Sequence, residues 1–259
     1  MLSLGYTLYK LFISFKDSTQ DDKTAFIEKI QAIPEIGLIS LLGGQYDLSV
    51  GIVGKDNFSV EKIITGILHD YGTIVQAKDI SIITDLRQYN KKFLGQEICE
   101  WRLFPCTLQT EPDELDRKIL RTFAKEAKQP LATLAQQMDI DRGTLNYRIK
   151  RLEKAGILLG YRVILNREHF QRNFFRILIK LNFWDEKELN SLFTYLRFHP
   201  HTIFALKCIG NWEFEIEISP ETLEQCYTFI TELKEKYKII KEFIVLPAFK
   251  DLKYEFYIT

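Results

Sequence analysis

The chain has 259 residues, enough for about two domains, and 46% of them are hydrophobic, so it can bury substantial cores. Its 35 basic and 35 acidic residues give a formal net charge of zero. This balance excludes a chain-wide attraction to nucleic acid or membrane surfaces. Any site for a polyanion must therefore be a local cluster of cations.

The apolar N-terminal stretch is interrupted by lysines well short of the roughly 18 apolar residues of a membrane span. Cys99, Cys106, Cys208 and Cys226 form no C-x-x-C pair and have no histidine at metal-ligand spacing. We therefore expect a cytoplasmic protein with reduced thiols, no membrane partner, no metal and no other cofactor.

The chain contains two copies of one pattern, shifted by 166 residues without a gap. Pro34 pairs with Pro200 (200 − 34 = 166), and GGQYDLSVGI at 43–52 lies over IGNWEFEIEI at 209–218. Chance does not explain so many matches at one shift. The repeat predicts two domains of the same fold.

Each copy predicts the same order of elements. An alternating strand is followed by an amphipathic helix and then by two strands joined through a glycine-containing turn. A second helix (about 58–70, or 222–236) and a final strand (about 73–84, or 239–249) complete each copy. The order β-α-β-β-α-β is ferredoxin-like, with two helices on one face of a four-stranded sheet and the other face open. The predicted fold class is α+β.

The connector after the first copy alternates apolar and charged residues. Cys99, Trp101 and Leu103 alternate with Glu100 and Arg102. This pattern predicts an extended strand that packs on the protein, in contrast to a flexible tether.

Residues 113–165 have no counterpart in the repeat and carry 11 basic and 7 acidic residues, a local net charge of +4 (11 − 7). Three short helices are predicted there. Asp113 caps the first helix, and Asp141 caps the third, which Gly156 closes. The run ILLGYRVILN that follows predicts the wing of a winged helix-turn-helix.

The third helix carries groups that suit DNA. Arg142, Asn146 and Lys150 recur every four residues and form one ridge. Arginine suits guanine edges, asparagine suits adenine edges and lysine suits phosphates, while Gly143 allows a phosphate to approach the helix N-terminus. A merely solvated basic face is the alternative, but the three-helix context favours DNA binding. The predicted DNA-binding residues are Arg142, Gly143, Thr144, Asn146, Tyr147, Arg148, Lys150 and Arg151.

Several segments resemble the Lrp/AsnC (feast/famine) transcription regulators. LDRKIL (115–120), TLAQQMDIDRGTLNYRIKRLEKAGIL (133–158) and GYRVILN (160–166) resemble the DNA-binding domain of that family. The two β-α-β-β-α-β copies resemble its effector (RAM-like) domain. The resemblance implies effector domains that pair sheet to sheet and bind amino acids or other small molecules. It also implies a tandem form whose upstream DNA-binding domain is missing.

We therefore divide the chain into four parts. They are a first ferredoxin-like effector/oligomerisation domain (1–93), a connector (94–112), a winged helix-turn-helix DNA-binding domain (113–166) and a second ferredoxin-like effector/oligomerisation domain (167–259).

The two predicted open sheet faces differ. In the second copy Arg176 and Lys180 are expected beside Glu213, Glu215 and Glu217, whereas the first copy offers smaller and less charged residues. We therefore expect one chain to contain a pseudo-dimer of unlike effector domains.

The predicted function is a sequence-specific DNA-binding regulator modulated by a small molecule such as an amino acid. Its partners are double-stranded DNA, the effector and further copies of the chain. Two recognition helices are needed for a palindromic site, so a homodimer or a higher even oligomer is expected. By resemblance, the effector-binding residues are Gly44, Tyr46, Asp47, Gly210, Trp212 and Glu213. Such glycine-aromatic turns also commonly only close a hairpin and pack the aromatic ring.

Two other functions remain open. Siroheme decarboxylases share this architecture, but the histidine- and arginine-bearing motif and the Trp-Pro-Tyr-Asn-like segment expected of them are absent from the sequence, and His199 and His201 lie at a predicted turn. No catalytic residues are predicted. Alternatively, the chain is a partner subunit that regulates a full-length relative by co-assembly.

Overall fold

The described chain consists of two β-α-β-β-α-β sets with a three-helix unit between them. The computed structural model describes residues 4–95, 99–103, 111–126, 129–161 and 172–255. The first set comprises β1 (Thr7–Phe15), α1 (Gln20–Gln31), β2 (Ile36–Leu42), β3 (Leu48–Gly54), α2 (Asn57–Tyr71) and β4 (Val75–Tyr89). A short strand, β5 (Glu100–Leu103), follows it.

The helical unit and the second set complete the order of elements. The helical unit comprises α3 (Glu114–Glu126), α4 (Leu131–Met138) and α5 (Arg142–Lys154). The second set comprises β6 (Phe175–Leu181), α6 (Glu186–Phe198), β7 (Thr202–Gly210), β8 (Phe214–Ile218), α7 (Leu223–Lys236) and β9 (Ile240–Tyr254). The α+β, ferredoxin-like prediction is confirmed.

The strands of the described residues form one sheet that closes on itself. Their order is β1-β3-β2-β9-β6-β8-β7-β4-β5, and β4 also pairs with β1. Eight strands therefore make a barrel, and β5 extends it from the edge of β4. The ladders β2–β9 and β4–β7, both antiparallel, join the two copies. The two unlike copies thus pair with each other inside one chain, as the pseudo-dimer hypothesis predicted.

The sheet buries both of its faces. On β1, Tyr9, Leu11 and Ile13 point outward and pack with Phe26 and Ile30 of α1, because alternate residues of a strand face opposite sides. Helices α6 and α7 cover the second copy in the same way. The inward-facing residues of both copies form the barrel interior. The sheet face that is open in each single copy is therefore covered by the other copy, as expected for a pseudo-dimer.

One of the predicted ion pairs differs from the pair found in the structure. Arg176 does contact Glu215 and Glu217. Lys180, however, pairs with Glu242 of β9 and not with Glu213. The cause is the strand order, because β6 lies between β8 and β9.

The two final strands are longer than predicted. The first residues of β4 and β9 pair with strands of their own copy, whereas the last residues of both strands pair with strands of the other copy. The sequence pattern predicted that these strands end at about residues 84 and 249. Long-range pairing keeps them extended to Tyr89 and Tyr254.

The connector packs as an extended strand where it is described. Leu103 pairs with Leu86, and Glu100 pairs with Tyr89, so β5 is the ninth strand of the sheet. Residues 96–98 and 104–110 lie outside the described residues. Within the described ranges, no helix is long and apolar enough to cross a membrane, and no group of three or more His, Cys, Asp or Glu residues could hold a metal ion.

Candidate nucleic-acid interface and barrel interior

Local signals set both ends of α5. The Asp141 carboxylate accepts a hydrogen bond from the Thr144 backbone N–H at 2.9 Å, and the contacts with Thr144 lower the pKa of Asp141. At the other end Gly156 has a φ of +67°, a left-handed conformation that favours glycine. The N–H groups of Gly156 and Ile157 donate to the carbonyls of Glu153 and Leu152, each at 3.0 Å. This is a Schellman motif, so the helix has fixed ends.

One face of α5 holds it in the helical unit. Leu145, Ile149 and Leu152 are buried and pack in one cluster with Ile119 and Phe123 of α3. Ile140 and Leu145, on either side of the cap, belong to the same cluster and form a hydrophobic staple. The residues on the opposite face are therefore free to meet a partner.

Arg142, Asn146, Tyr147 and Lys150 lie on that outward face and are exposed. The Tyr147 side chain is 66% exposed. They present a guanidinium, an amide, a phenol and an ammonium from one rigid helix. Such a set can contact base edges and phosphates together.

Arg148 and Arg151, two other predicted DNA-binding residues, have partners inside the protein. Arg148 donates to Asp113 and, at 3.2 Å, to Asp116, while Arg151 pairs with Asp116. The Asp116 side chain is fully buried, and the hydrogen bond from Arg148 lowers the pKa of Asp113 to about 2. This placement supports a structural role, in which both arginines tie α5 to the start of α3.

Gly143 and Thr144 belong to the cap of α5. A Cβ atom at Gly143 would lie 2.9 Å from the Asp141 carboxylate, so the glycine leaves room for the capping side chain. The Thr144 hydroxyl donates to the same carboxylate. The wing prediction is only partly covered, because residues 162–171 lie outside the described residues and Ile157–Tyr161 form no strand.

The six predicted effector residues lie in two equivalent turns at one end of the barrel. The rings of Tyr46 and Trp212 meet inside the barrel with centroids 5.8 Å apart, and both contact Phe12. The Tyr46 hydroxyl donates to Asp79 at 2.5 Å, and Asn211 donates to the same carboxylate at 2.9 Å. The two turns are therefore joined through their aromatic rings and through Asp79.

The acidic residues of the two turns have matching structural roles. Asp47 accepts from the Phe15 N–H at 2.8 Å, and Glu213 accepts from the Leu181 N–H at 2.9 Å. These positions differ by the repeat shift (181 − 15 = 166). Of the two glycines, Gly44 has a φ of +91°. A Cβ at Gly210 would lie 2.5 Å from the carbonyl oxygen of Ile80, because β4 pairs closely with β7 there.

A buried charged group, which we call the interior cluster, lies deeper in the barrel and consists of Lys10, Arg176, Glu215 and Glu217. Lys10 donates to Glu215, Arg176 Nε lies 3.0 Å from Glu215 Oε1, and Arg176 Nη2 donates to Glu217 at 3.3 Å. Burial lowers the pKa of Lys10, with Arg176 acting in the same direction and Glu215 against it.

The sequence predicted contacts between Arg176, Glu215 and Glu217 but did not predict a buried charged cluster. The repeat contained a signal, because Lys10 and Arg176 are equivalent positions (176 − 10 = 166) and both carry a cation. A cation that points into a predicted sheet-to-sheet contact needs an acidic partner there. Residues 49 and 51 of the first copy are Ser and Gly, so Glu215 and Glu217 of the second copy must supply it.

A capped helix with an exposed polar and basic face, packed on two other helices, is the arrangement found in helix-turn-helix units. The sequence matches the winged helix-turn-helix DNA-binding family over residues 112–158. It is also similar to the regulatory protein AsnC of Haemophilus influenzae, with 25% identity over 121 residues, which cover 46% of this chain and 78% of that protein. The chain is therefore similar to Lrp/AsnC-type transcription regulators over its helical unit and the part that follows it.

Solved structures share the fold. A Neisseria meningitidis transcriptional regulator in complex with L-Met covers 57% of this chain and 96% of its own, with a TM-score of 0.51 and 15% identity. The siroheme decarboxylase NirDL covers 98% of this chain and 76% of its own, with a TM-score of 0.66 and 11% identity. At these identities the likeness concerns the fold alone.

Proposed function

We propose that this protein is an Lrp/AsnC-type transcription regulator that binds double-stranded DNA sequence-specifically through α5, and that a small molecule modulates the binding. The observation that carries the proposal is the outward face of α5, where Arg142, Asn146 and Lys150 are exposed on a helix whose ends are fixed. In this proposal Arg142, Asn146 and Tyr147 contact base edges, and Lys150 contacts phosphate. Gly143 and Thr144 bring the helix N-terminus to the backbone, and Arg148 and Arg151 hold the helix in place.

The described residues contain one helix-turn-helix in each chain. Two chains must therefore associate to place two recognition helices about one turn of DNA apart. We propose a homodimer or a higher even oligomer for the DNA-bound form, acting in the cytoplasm. Because the chain already pairs its two ferredoxin-like copies internally, the contact between chains must use a surface outside the barrel interior.

Small-molecule modulation is supported by the L-Met complex of a structural neighbour. The side chains in the two turns predicted for effector binding already contact other residues of this chain. An effector could therefore contact only those parts of the turns that remain exposed. We keep these turns as a candidate site for an amino acid.

DNA binding is tested with the full chain at two salt concentrations. Specific binding that weakens steeply with salt is expected, because each phosphate contact adds close to one unit to the log-log slope. Lys150→Ala should reduce that slope by about one and weaken binding to all sequences alike. Arg142→Ala should cost about 1–3 kcal/mol on the best site and relax its base preference.

Lys187→Ala is the matched control, because Lys187 is an exposed residue of α6 in the second copy and does not belong to the helical unit. It should leave binding unchanged. If the isolated chain binds no DNA, the assignment of α5 is wrong, and a partner subunit that acts by co-assembly becomes the better explanation.

A further inference from the structure

A partly open cavity of about 250 Å³ lies at the barrel, beside the interior cluster. Its walls are mainly apolar and come from both copies, including Leu8, Leu38, Val53, Leu86, Phe204 and Leu206. The side chains of the interior cluster line one part of it. Trp101 of β5 and Leu159 and Tyr161 beyond α5 line another part. A mainly apolar cavity with a few convergent polar groups is the usual form of a small-molecule site.

The interior cluster retains unused hydrogen-bonding capacity. Arg176 Nη1 and Glu215 Oε2 are buried and have no hydrogen-bond partner among the described residues. Arg176 and Glu215 are 1% and 0% exposed. An unmade hydrogen bond on a buried charged group is costly. Because both residues line the cavity, a ligand or water there could supply the complementary groups.

The charge of the interior cluster limits the ligand further. Two cations and two carboxylates compensate one another, so the cluster has no formal net charge. A ligand with a net charge would enter an apolar cavity without a compensating partner, which is strongly unfavourable. The volume also lies below the roughly 300 Å³ at which drug-sized pockets begin. The matching ligand is therefore small and carries no net charge.

We propose that the barrel cavity binds a small molecule without net charge, with an apolar body and one head group that both donates and accepts hydrogen bonds. The head group accepts from Arg176 Nη1 and donates to Glu215 Oε2, and the apolar body contacts the leucine and phenylalanine walls. This site is distinct from the two glycine-aromatic turns, since none of the six turn residues is among those that line the cavity.

The cavity also has a direct connection to the helical unit. Leu159, Gly160 and Tyr161 follow α5 within a few residues and line the cavity. The Tyr161 ring packs edge-on against Phe123, a core residue of the helical unit, at 5.8 Å. Occupancy of the cavity and the position of α5 are therefore coupled, and this consequence alone rests on the proposed DNA binding.

The test uses three probes with one scaffold: phenylacetamide, which is uncharged, phenylacetate, an anion, and 2-phenylethylamine, a cation. Each is titrated into the full chain without DNA, and binding is followed by ligand-observed NMR. Phenylacetamide should bind with a dissociation constant on the order of millimolar. The two charged probes should bind about tenfold more weakly or worse. Equal or tighter binding of either charged probe would overturn the proposed ligand class.

A pair of variants on β4 locates the site. Leu86→Trp fills the cavity and should abolish phenylacetamide binding, whereas Ile80→Trp, at a position that is 40% exposed and does not line the cavity, should preserve it. Retained binding in a folded Leu86→Trp variant would contradict the proposal. If Leu86→Trp fails to fold, the fluorescence of Trp101 provides a second test. Phenylacetamide should change the tryptophan emission of the unmodified chain, and Trp101→Phe should remove that change. Persistence of the change in Trp101→Phe would contradict the location.

Coupling is measured separately by repeating the titration with saturating DNA. The affinity for phenylacetamide should change, and by linkage the affinity for DNA should change by the same factor when the probe is present. Because the first titration contains no DNA, a failure of DNA binding leaves the cavity result standing, and the two proposals are tested independently.

Discussion

At the scale of single residues, Asp116 connects α5 to the rest of the helical unit. Its side chain is fully buried and receives Arg148 and Arg151 from α5. Because both arginines are partly exposed, water screens part of each interaction. Among the described residues, the partners that compensate the burial of this carboxylate are these two arginines and the Asp113 N–H.

Replacing Asp116 should destabilise the helical unit without touching the outward face of α5. Asp116→Ala is expected to lower the free energy of unfolding by about 1–3 kcal/mol, since two cations lose their shared partner. Urea denaturation followed by circular dichroism measures the change. Glu114→Ala, on the same helix with an 84% exposed side chain, is the control and should have little effect. An Asp116→Ala variant as stable as the control would refute the structural role of the arginines.

His199 provides a pH dependence at the end of α6. Burial lowers the pKa of His199 to about 4 from 6.5; His201 acts in the same direction, Glu232 opposes the shift, and Lys92 adds to it. Between these values the unfolded chain binds the proton more readily than the folded chain. The stabilisation is therefore complete above pH 6.5 and is lost as the pH falls toward 4.

The difference in unfolding free energy between the unmodified chain and His199→Gln should thus vary with pH over this range, by up to about 1 kcal/mol per pH unit. Denaturation at a series of pH values measures the slope. His69→Gln is the control, because His69 is 89% exposed on α2. An equal slope in all three proteins would show that His199 is not the titrating group.

At the scale of elements, the close pairing of β4 with β7 depends on Gly210. Gly210→Ala is expected to cost about 1–3 kcal/mol, because its new methyl group must displace the β4 backbone at Ile80. Gly66→Ala is the opposite control: nothing lies within 4 Å of its Cβ position on α2, so the substitution should stabilise by about 0.5–1 kcal/mol. Thermal denaturation compares the two, and equal melting temperatures would contradict the close pairing.

Elements with local signals could be predicted from the sequence. The capping residue Asp141 marks the start of α5, and Gly156 marks its end. Both signals lie within about one helical turn of the helix, so the bounds of α5 follow from neighbouring residues. The ends of β4 and β9 could not be predicted, because their partners are in the other copy. Lys10 and Glu215 are likewise 205 positions apart. Arg148 resembled a DNA contact because its acidic partner Asp113 lies 35 positions away in the chain.

At the scale of the whole molecule, the closed barrel makes the two copies one cooperative unit. Each copy contributes half of the interior, and separation of the copies would expose apolar side chains and the interior cluster to water. Amides in the joining ladders β2–β9 and β4–β7 should therefore exchange with the same opening free energy as the β1–β3 core. Hydrogen exchange measured by NMR tests this, and clearly lower values in the joining ladders would show that the copies separate first.

The internal repeat has a further consequence for the barrel. In a dimer of identical chains, every residue that faces the twofold axis appears twice. An asymmetric ligand could therefore bind in two equivalent orientations. Here Ser49 stands where the other half has Glu215, and Gly51 stands where it has Glu217. The two halves can vary independently, which removes the twofold degeneracy. A single chain of this kind can bind one ligand in one orientation.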